Sequence, residues 1–372
     1  MAELLPGLPE KVALLCLARV PRIYHTALRA VNKTWREVVG SKEFYIVRKQ
    51  LGATEESVFL IKKFDKPPNR LHSLEIDLKT RKCCKSLFVN DEVTRDIFNE
   101  GFGCASIGHL VIFFGGNSFS EDHTPSGAVH VFNALSRTWT KGADMQCPRG
   151  EFCYGVIDGK LYVAGGHAGQ GRGVVTDAEV YDADTDSWSR IASMPLALYS
   201  DIFCVWRNKL VVRGLRIPEK TPYVFSYSPS NNEWVEQRWL LNVFSPFKPL
   251  ISLASVVVTK SNDSLYVGVA ENSYQGMHME DYVSLVKVMK LDSNTLEWKT
   301  VSKYRDESDE ANCECSIDVA PPSFFFSLRD RVPVMNHLEY ENVRMFKLAF
   351  SKNLVKLFLT CPSSWVSTIV ET

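Results

Sequence analysis

Cysteine and histidine are the residues of this sequence best suited to metal chemistry, and their spacing argues against a metal site. Ten cysteines are scattered along the chain without a C-x-x-C pair, although zinc sites built from cysteine usually contain such pairs. Cys83 beside Cys84, and Cys313 two residues before Cys315, have no histidine nearby and make poor zinc ligands. The eight histidines include no H-x-H or H-x-x-x-H pair. We therefore expect neither a metal nor a cofactor.

Catalytic motifs are also missing from the sequence, which contains no G-x-x-x-x-G-K, G-x-S-x-G or H-E-x-x-H pattern. Six side chains between or within predicted strands instead offer donors and flat surfaces suited to protein recognition. These candidate target-binding residues are Arg149, His167, Arg172, Tyr199, Arg213 and Arg216. Arg213 lies within an apolar strand, so it either points toward the central axis of its domain or needs a buried partner, for which Asp201 is the candidate. If the two residues pair, the role of Arg213 is structural. We expect a non-catalytic protein that binds other proteins.

The overall composition narrows the function further. Forty-three basic and 43 acidic residues give a formal net charge of zero, so no long-range field favours nucleic acid or anionic lipid. The N-terminal residues lack the basic start of a secretion signal, and no run reaches the roughly 18 apolar residues of a membrane helix. We expect a protein of the cytoplasm, the nucleus or both, with reduced cysteines and with no nucleic-acid or membrane partner.

The first fifty residues have the pattern of short helices. The run 10–19 is rich in helix formers and Pro21 ends it. Apolar residues recur at three- and four-residue spacing over 27–39, which predicts one amphipathic helix there. Ser41 provides an N-cap for a last short helix over 43–50. So small a group of helices buries little surface and gains stability by docking on another surface.

The strings LLPGLPEKVALLCLARVP and LRAVNKTWRE, within residues 4–44, resemble an F-box. The resemblance implies a small all-α module over residues 1–51 that binds a Skp-type adaptor of cullin-RING ubiquitin ligases by inserting apolar side chains into a groove. The residues at the matching motif positions are Leu8, Pro9, Val12, Leu15, Val20, Pro21, Leu28, Val31 and Trp35. A helical cap that packs on the larger domain is the alternative interpretation.

A second pattern repeats through the rest of the chain. The frames 132–139, 181–188, 227–234 and 291–298 each place an aromatic residue or leucine seven residues before a tryptophan, across a polar turn. Weaker copies at 76–83 and 348–355 bring the number of frames to six. Repeated aromatic residues at fixed positions are expected to pack in the core and not to bind a cofactor.

An apolar strand that ends in glycine precedes four of these frames. The strings are VIFFGG, LYVAGG, LVVRGL and LYVGVA, which begin at residues 111, 161, 210 and 265. Strand, Gly-Gly, strand, polar turn and tryptophan together resemble the kelch repeat. The resemblance implies an all-β kelch β-propeller of six blades over residues 52–372. The first copy is one strand short, and the run 364–370 is expected to supply that strand and close the ring.

The order of the two motifs resembles the plant family of F-box/kelch proteins. The resemblance implies a substrate-recognition subunit of an SCF-type ubiquitin ligase, with the propeller loops holding a target protein for ubiquitination and degradation. Several members of that family act on biosynthetic enzymes, such as those of phenylpropanoid metabolism, and the target of this chain is not readable from its loops. The acidic stretch 304–314 is expected to be an exposed loop.

Two other functions remain open. A kelch scaffold that binds a partner without ubiquitin chemistry would account for the repeats but would leave the F-box without a role. An enzyme built on the propeller would require catalytic side chains from different blades to converge.

Overall fold

The computed structural model describes residues 4–63, 71–77, 83–86, 101–117, 124–169, 173–244, 254–258, 265–274, 282–292, 295–305, 345–350, 353–358 and 365–371. The chain forms two compact units. The first contains Met1–Pro148, Asp182–Trp188 and Ser367–Thr372, and the second contains Arg149–Tyr181 and Ser189–Val366.

Short helices form the N-terminal part of the first unit. They are α1 (Glu10–Ala18), a 3-10 turn (Arg22–Tyr24), α2 (His25–Val31), α3 (Lys33–Val39) and α4 (Lys42–Gln50). The prediction of one helix over 27–39 is wrong, because Asn32 has an extended backbone and its side chain accepts a hydrogen bond from the Trp35 backbone N–H at 2.7 Å. This contact ends α2 and caps α3. Ser41 caps α4 as predicted, accepting from the Phe44 backbone N–H at 3.1 Å.

A small apolar core holds these helices together. Its buried members are Leu4, Ala13, Leu17, Ala18, Val39 and Phe44. Leu28 and Trp35 pack against this core and are half-buried. The Trp35 indole also donates a hydrogen bond to the Leu4 carbonyl at 2.8 Å, so this side chain ties the N-terminal segment to α3.

Antiparallel sheets follow the helices, and in the described part of the chain five of them have four strands and one has two. The first sheet has the order β22-β1-β2-β3 and the others follow the chain. The strands of the first three sheets are β1 (Glu56–Lys63), β2 (Leu71–Asp77), β3 (Cys83–Ser86) and β22 (Trp365–Glu371); β4 (Gly103–Ile107), β5 (Leu110–Phe114), β6 (Val129–Asn133) and β7 (Thr138–Gly142); β8 (Cys153–Ile157), β9 (Lys160–Ala164), β10 (Ala178–Asp182) and β11 (Ser187–Ile191).

The remaining sheets are built in the same way. Their strands are β12 (Tyr199–Trp206), β13 (Lys209–Arg216), β14 (Thr221–Ser228) and β15 (Glu233–Glu236); β16 (Ala254–Val258), β17 (Leu265–Tyr274), β18 (Tyr282–Leu291) and β19 (Trp298–Arg305); β20 (Met345–Phe350) and β21 (Asn353–Phe358). One further helix, α5 (Arg238–Phe244), follows β15. Because neighbouring strands are consecutive in sequence, short turns connect most of them.

The repeated frames correspond to the last two strands of each sheet. The first and last residues of a frame face each other across those strands: Phe132 pairs with Trp139, and Tyr227 pairs with Trp234. The weak frames have the same register, since Ile76 pairs with Cys83. The seven-residue spacing therefore measures two paired strand positions and the turn between them.

The tryptophans of the frames also connect successive sheets. The Trp188 indole donates to the Ala143 carbonyl at 2.8 Å, and the Trp234 indole donates to the Ala192 carbonyl at 2.7 Å. Ala143 follows β7 and Ala192 follows β11, so each indole reaches the residue just after the last strand of the preceding sheet. The Asn232 side chain adds a second bond by accepting from the Ala192 N–H at 2.8 Å. A buried indole with a satisfied N–H contributes both apolar area and a specific contact.

The Gly-Gly pair at the end of β9 permits a close backbone approach. Gly166 has φ +92°, and a Cβ there would lie 2.7 Å from the Gly150 carbonyl oxygen. His167 and Gly150 then exchange two backbone hydrogen bonds at 2.7 and 3.0 Å. A larger residue at Gly166 would push these segments apart.

Candidate functional site

The helices present an exposed apolar face. Leu8 and Val12 are 40% and 41% exposed, and Val31 is 57% exposed. Leu15, one turn after Val12 on α1, is exposed as well. Several large apolar side chains exposed on one small module, outside its core, are typical of a protein-binding surface. We call Leu8, Val12, Leu15 and Val31 the apolar face.

The other residues predicted to bind an adaptor divide into two groups. Pro9 is exposed directly after Leu8, Pro21 is exposed after α1, and Val20 is half-buried. Leu28 and Trp35 instead pack against the module core, where Trp35 also makes its bond to the Leu4 carbonyl. Their packing gives these two side chains a role inside the module.

Three exposed apolar residues on the module, Ile23, Tyr24 and Ile46, were missed by the sequence prediction. Ile23 and Tyr24 lie in the 3-10 turn between α1 and α2 and are 36% and 57% exposed. Both fall outside the three- and four-residue spacing that marks a helix face, so periodicity gave no signal for them.

A buried ionic cluster supports the module from inside. The Arg48 guanidinium donates to the carbonyls of Ala18 and Val20, both at 2.8 Å, and lies 3.4 Å from the Glu55 carboxylate. The Glu55 carboxylate also accepts from the Arg22 backbone N–H at 2.6 Å. Because both charged side chains are almost fully buried, each depends on the other and on these hydrogen bonds.

The same cluster controls the protonation of a buried histidine. His25 packs edge-on against Phe44 with ring centroids 5.5 Å apart, and its Nε2 lies 3.1 Å from the Val20 carbonyl. Burial, together with the nearby charge of Arg48, lowers the pKa of His25 from 6.5 to about 4. The imidazole is therefore neutral at physiological pH.

Arg149 has a different role from the one that the sequence suggested. Its side chain has no exposed surface, and its guanidinium donates to the Gly165 carbonyl at 3.0 Å, the Asp177 carbonyl at 2.6 Å and the Glu179 carboxylate at 2.6 Å. A side chain enclosed in this way is not available to a target protein. The prediction that Arg149 binds a target is therefore wrong, and the residue joins the end of β9 to β10.

Arg213 is also buried, at 6% exposure, and faces Ile202 and Val224 in the neighbouring strands. This placement fits the structural alternative better than target binding. The proposed pairing with Asp201 falls on a side chain outside the described part of the structure, and Arg172 also lies outside the described residues.

The remaining three predicted residues lie at equivalent strand ends of the second unit. Tyr199 begins β12 and is 47% exposed, and Arg216 ends β13 and is exposed in an ion pair with Glu219 at 3.8 Å. Tyr199 pairs with Leu215 across the two strands. Arg216 therefore lies one position beyond this pair, at the same end of the two strands. His167 is half-buried and follows the Gly-Gly pair after β9. The Tyr199 ring and the Arg216 guanidinium, at the same end of neighbouring strands, suit recognition of a protein surface.

Two cysteines of the sheets, Cys153 and Cys204, are buried. Burial raises the pKa of the Cys153 and Cys204 thiols to about 12, so both stay protonated. No cluster of potential metal ligands occurs among the residues that the structure describes. Within the same residues, no helix is both long and apolar enough to span a membrane. Cys313 and Cys315 lie outside the described residues.

Two protein-family models match segments of the chain, one in the helices and one in the sheets. The F-box domain model matches residues 5–47, which hold α1 to α3 and most of α4, and the Kelch motif model matches residues 148–195, which hold the whole sheet β8–β11. This chain carries an F-box and a kelch motif. The apolar face is thus on the F-box, and the Arg149 contacts are within the kelch match.

The curated relatives carry the F-box in their names, and two of the following three also carry the kelch repeat. An F-box/kelch-repeat protein of Arabidopsis thaliana is 30% identical over 285 residues, covering 63% of this chain and 60% of its own length. The F-box protein AFR of the same plant is 26% identical and covers 63% of this chain and 62% of its own length. The F-box/kelch-repeat protein SKIP30, also of Arabidopsis thaliana, is 32% identical with coverages of 52% and 55%. The chain therefore spans about 55–62% of the length of these relatives.

One solved structure, described as "Structure of YjhT", matches with a TM-score of 0.38 and 19% identity, covering 57% of this chain and 67% of that chain.

Proposed function

We propose that this chain is the substrate-recognition subunit of an SCF-type ubiquitin ligase. The F-box binds a Skp-type adaptor, and the kelch part binds a target protein for ubiquitination and degradation. The observation that carries the proposal is the apolar face: Leu8, Val12, Leu15 and Val31 are exposed on the module that matches the F-box. An exposed apolar face of this kind gains free energy when a partner's groove covers it.

In this role the chain makes and breaks no covalent bond. It holds the target close to the ligase's charged ubiquitin carrier and so raises the effective concentration of one reactant near the other. We propose that the protein acts in the cytoplasm, the nucleus or both, where SCF-type ligases meet their targets.

We further propose that residues 52–372 form a closed six-bladed β-propeller and that residues 1–51 form a separate F-box module. Two observations support closure: the first and last residues of five frames, those that begin at residues 76, 132, 227, 291 and 348, pair in the same register, and β22 lies beside β1 in the first sheet. A strand from the C-terminal end beside the first strand removes two free sheet edges at once. Deletion of residues 362–372 is expected to unfold the sheets, whereas a chain that folds without them would contradict closure.

Tyr199, Arg216 and His167 mark the proposed target-binding edge, and Arg172 belongs to the same predicted set. The target itself is a protein, and a biosynthetic enzyme such as one of phenylpropanoid metabolism is the class that the plant resemblance suggests. Replacement of Tyr199 by alanine is expected to weaken capture of the target from a plant extract while leaving the adaptor bound.

Co-purification with a purified Skp-type adaptor tests the proposed function. Val12 in α1 and Val235 in β15 are matched, since they are 41% and 44% exposed. Val12→Asp places a charge on the apolar face and should abolish capture, because burying an unpaired carboxylate in an apolar groove is costly. Val235→Asp should leave capture intact. Failure of the wild-type chain to capture the adaptor would favour a kelch scaffold outside ubiquitin ligases.

A further inference from the structure

The F-box helices contact the neighbouring sheet turns through residues other than those of the apolar face. Arg29 of α2 donates to the carbonyls of Leu135 and Ser136 at 2.7 and 2.8 Å, in the turn between β6 and β7. Gly40, after α3, lies against the same turn, since a Cβ there would be in van der Waals contact with the Ser136 Cα at 3.5 Å. Two charge-assisted bonds from one guanidinium fix a donor against a backbone turn more firmly than a single bond does.

A second contact joins α4 to the turn between β4 and β5. The rings of Tyr45 and His109 lie with centroids 4.6 Å apart, and both side chains are buried. Gly108 has φ +55°, and a Cβ there would lie 3.0 Å from the Tyr45 hydroxyl oxygen. Burial of two aromatic rings gives this contact an apolar centre, which stabilises it independently of the Arg29 bonds.

A third contact is electrostatic and exposed. Lys42 of α4 lies 2.7 Å from the Asp184 carboxylate in the turn after β10. Both side chains are more than 60% exposed, so water and salt screen the pair and it contributes little to stability. Arg29 and Tyr45 therefore carry the interface.

The segment between α4 and β1 is held as well. The Ala53 N–H donates to the Arg48 carbonyl at 2.9 Å, and the Arg48 guanidinium donates back to the Ala53 carbonyl. Glu55, directly before β1, is buried against Arg48 and the Arg22 N–H. Residues 51–55 thus lack the exposed, unpaired backbone of a flexible linker.

We infer that Arg29 and Tyr45 clamp the F-box to the turns of the sheets, so that the F-box has one fixed orientation relative to the sheet β4–β7. The clamp residues are distinct from Leu8, Val12, Leu15 and Val31, so an adaptor can cover the apolar face while the clamp stays closed. The inference deepens the proposed function and rests on it for its consequence: an adaptor bound at the apolar face is held in one orientation relative to the sheet β4–β7.

Distance measurement in the full-length chain tests the clamp. Spin labels attached through unnatural amino acids at Ile46 in α4 and Thr140 in β7, both exposed, avoid the ten native cysteines. Double electron–electron resonance should give one narrow distance distribution for the wild type. Arg29→Ala and Tyr45→Ala should broaden the distribution at least twofold. Lys33→Ala, at an exposed residue of α3 outside the interface, should leave it unchanged.

A broad distribution in the wild type, or an unchanged width in Arg29→Ala, would overturn the inference. If Tyr45→Ala does not fold, the variants at the half-buried Arg29 decide whether the clamp exists. Arg29→Lys should give a distance distribution of intermediate width, because lysine lacks the guanidinium fork. Adaptor capture is measured on the same samples. If the wild-type chain does not capture the adaptor, the proposed function is overturned. The distance distributions then still decide whether Arg29 and Tyr45 fix the F-box.

Discussion

The buried ion pair between Arg149 and Glu179 provides a quantitative test of how the kelch part is held together. Both side chains are at most 2% exposed and lie 2.6 Å apart. The same guanidinium also satisfies the carbonyls of Gly165 and Asp177. Glu179→Ala removes the carboxylate that lies 2.6 Å from this guanidinium and so removes compensation of a buried positive charge.

The expected cost follows from that geometry. Breaking a buried ion pair by removing one partner typically costs about 3–5 kcal/mol. Glu179→Gln keeps an acceptor in place and should cost less, roughly 2 kcal/mol, because a hydrogen bond to a charged group contributes about 1.5–3 kcal/mol. The double variant Arg149→Met, Glu179→Leu removes both charges, so its cost should be smaller than the sum of the two single costs.

Hydrogen exchange of the β9 and β10 amides in the full-length chain measures these costs locally. Each factor of ten in exchange rate corresponds to about 1.4 kcal/mol of opening free energy, so Glu179→Ala should raise the rates by at least a hundredfold. The matched control is Glu233→Ala, at an exposed residue of β15, which should change them less than threefold. Additive costs in the double variant, or a Glu179→Ala effect under about 1 kcal/mol, would refute the reasoning.

Two further predictions concern the frame tryptophans and the clamp. Trp234→Phe loses the hydrogen bond to Ala192 and should lower the free energy of unfolding in urea by about 1–2 kcal/mol, whereas the exposed Trp239→Phe should change it by under about 0.5 kcal/mol; equal effects would contradict the indole bond. Burial first, and the charge of Lys42 second, lower the pKa of the His109 imidazole to about 4. As the pH falls, the unfolded state therefore binds the proton first. The stability that is present above pH 6.5 is lost between pH 6.5 and pH 4. At pH 5 the loss from His109 is roughly 2 kcal/mol, and His109→Phe should flatten the pH dependence of unfolding by that amount; an unchanged slope would contradict the assignment.

The sequence predicted those features that depend on short-range patterns. The frame spacing is set by one strand pair and the turn between its strands. Local sequence is therefore enough to place Phe132 opposite Trp139. Ser41 as an N-cap depends only on the residues that follow it. Asn32 has the same capping chemistry, but the apolar spacing across it continued without a break, and the spacing alone predicted one helix.

Features that depend on contacts far apart in the sequence were not predictable. Arg149 meets Glu179 across 30 residues, and its burial results from the packing of β9 and β10 around it. A lone arginine near a turn carries no sign of such a partner, so its type alone suggested an exposed donor. The clamp is a stronger case, because Arg29 reaches carbonyls more than 100 residues away, and backbone acceptors have no sequence signature.

Site-specific cross-linking to the adaptor tests the central claim most directly. A photo-reactive amino acid would replace Val12 or Val31 on the apolar face, or the equally exposed Val235 on β15, in the full-length chain mixed with a purified Skp-type adaptor. The account predicts adaptor cross-links from the first two positions and none from the third. Cross-links from Val235 alone, or none from any position, would contradict the assignment of the F-box face as the adaptor-binding surface.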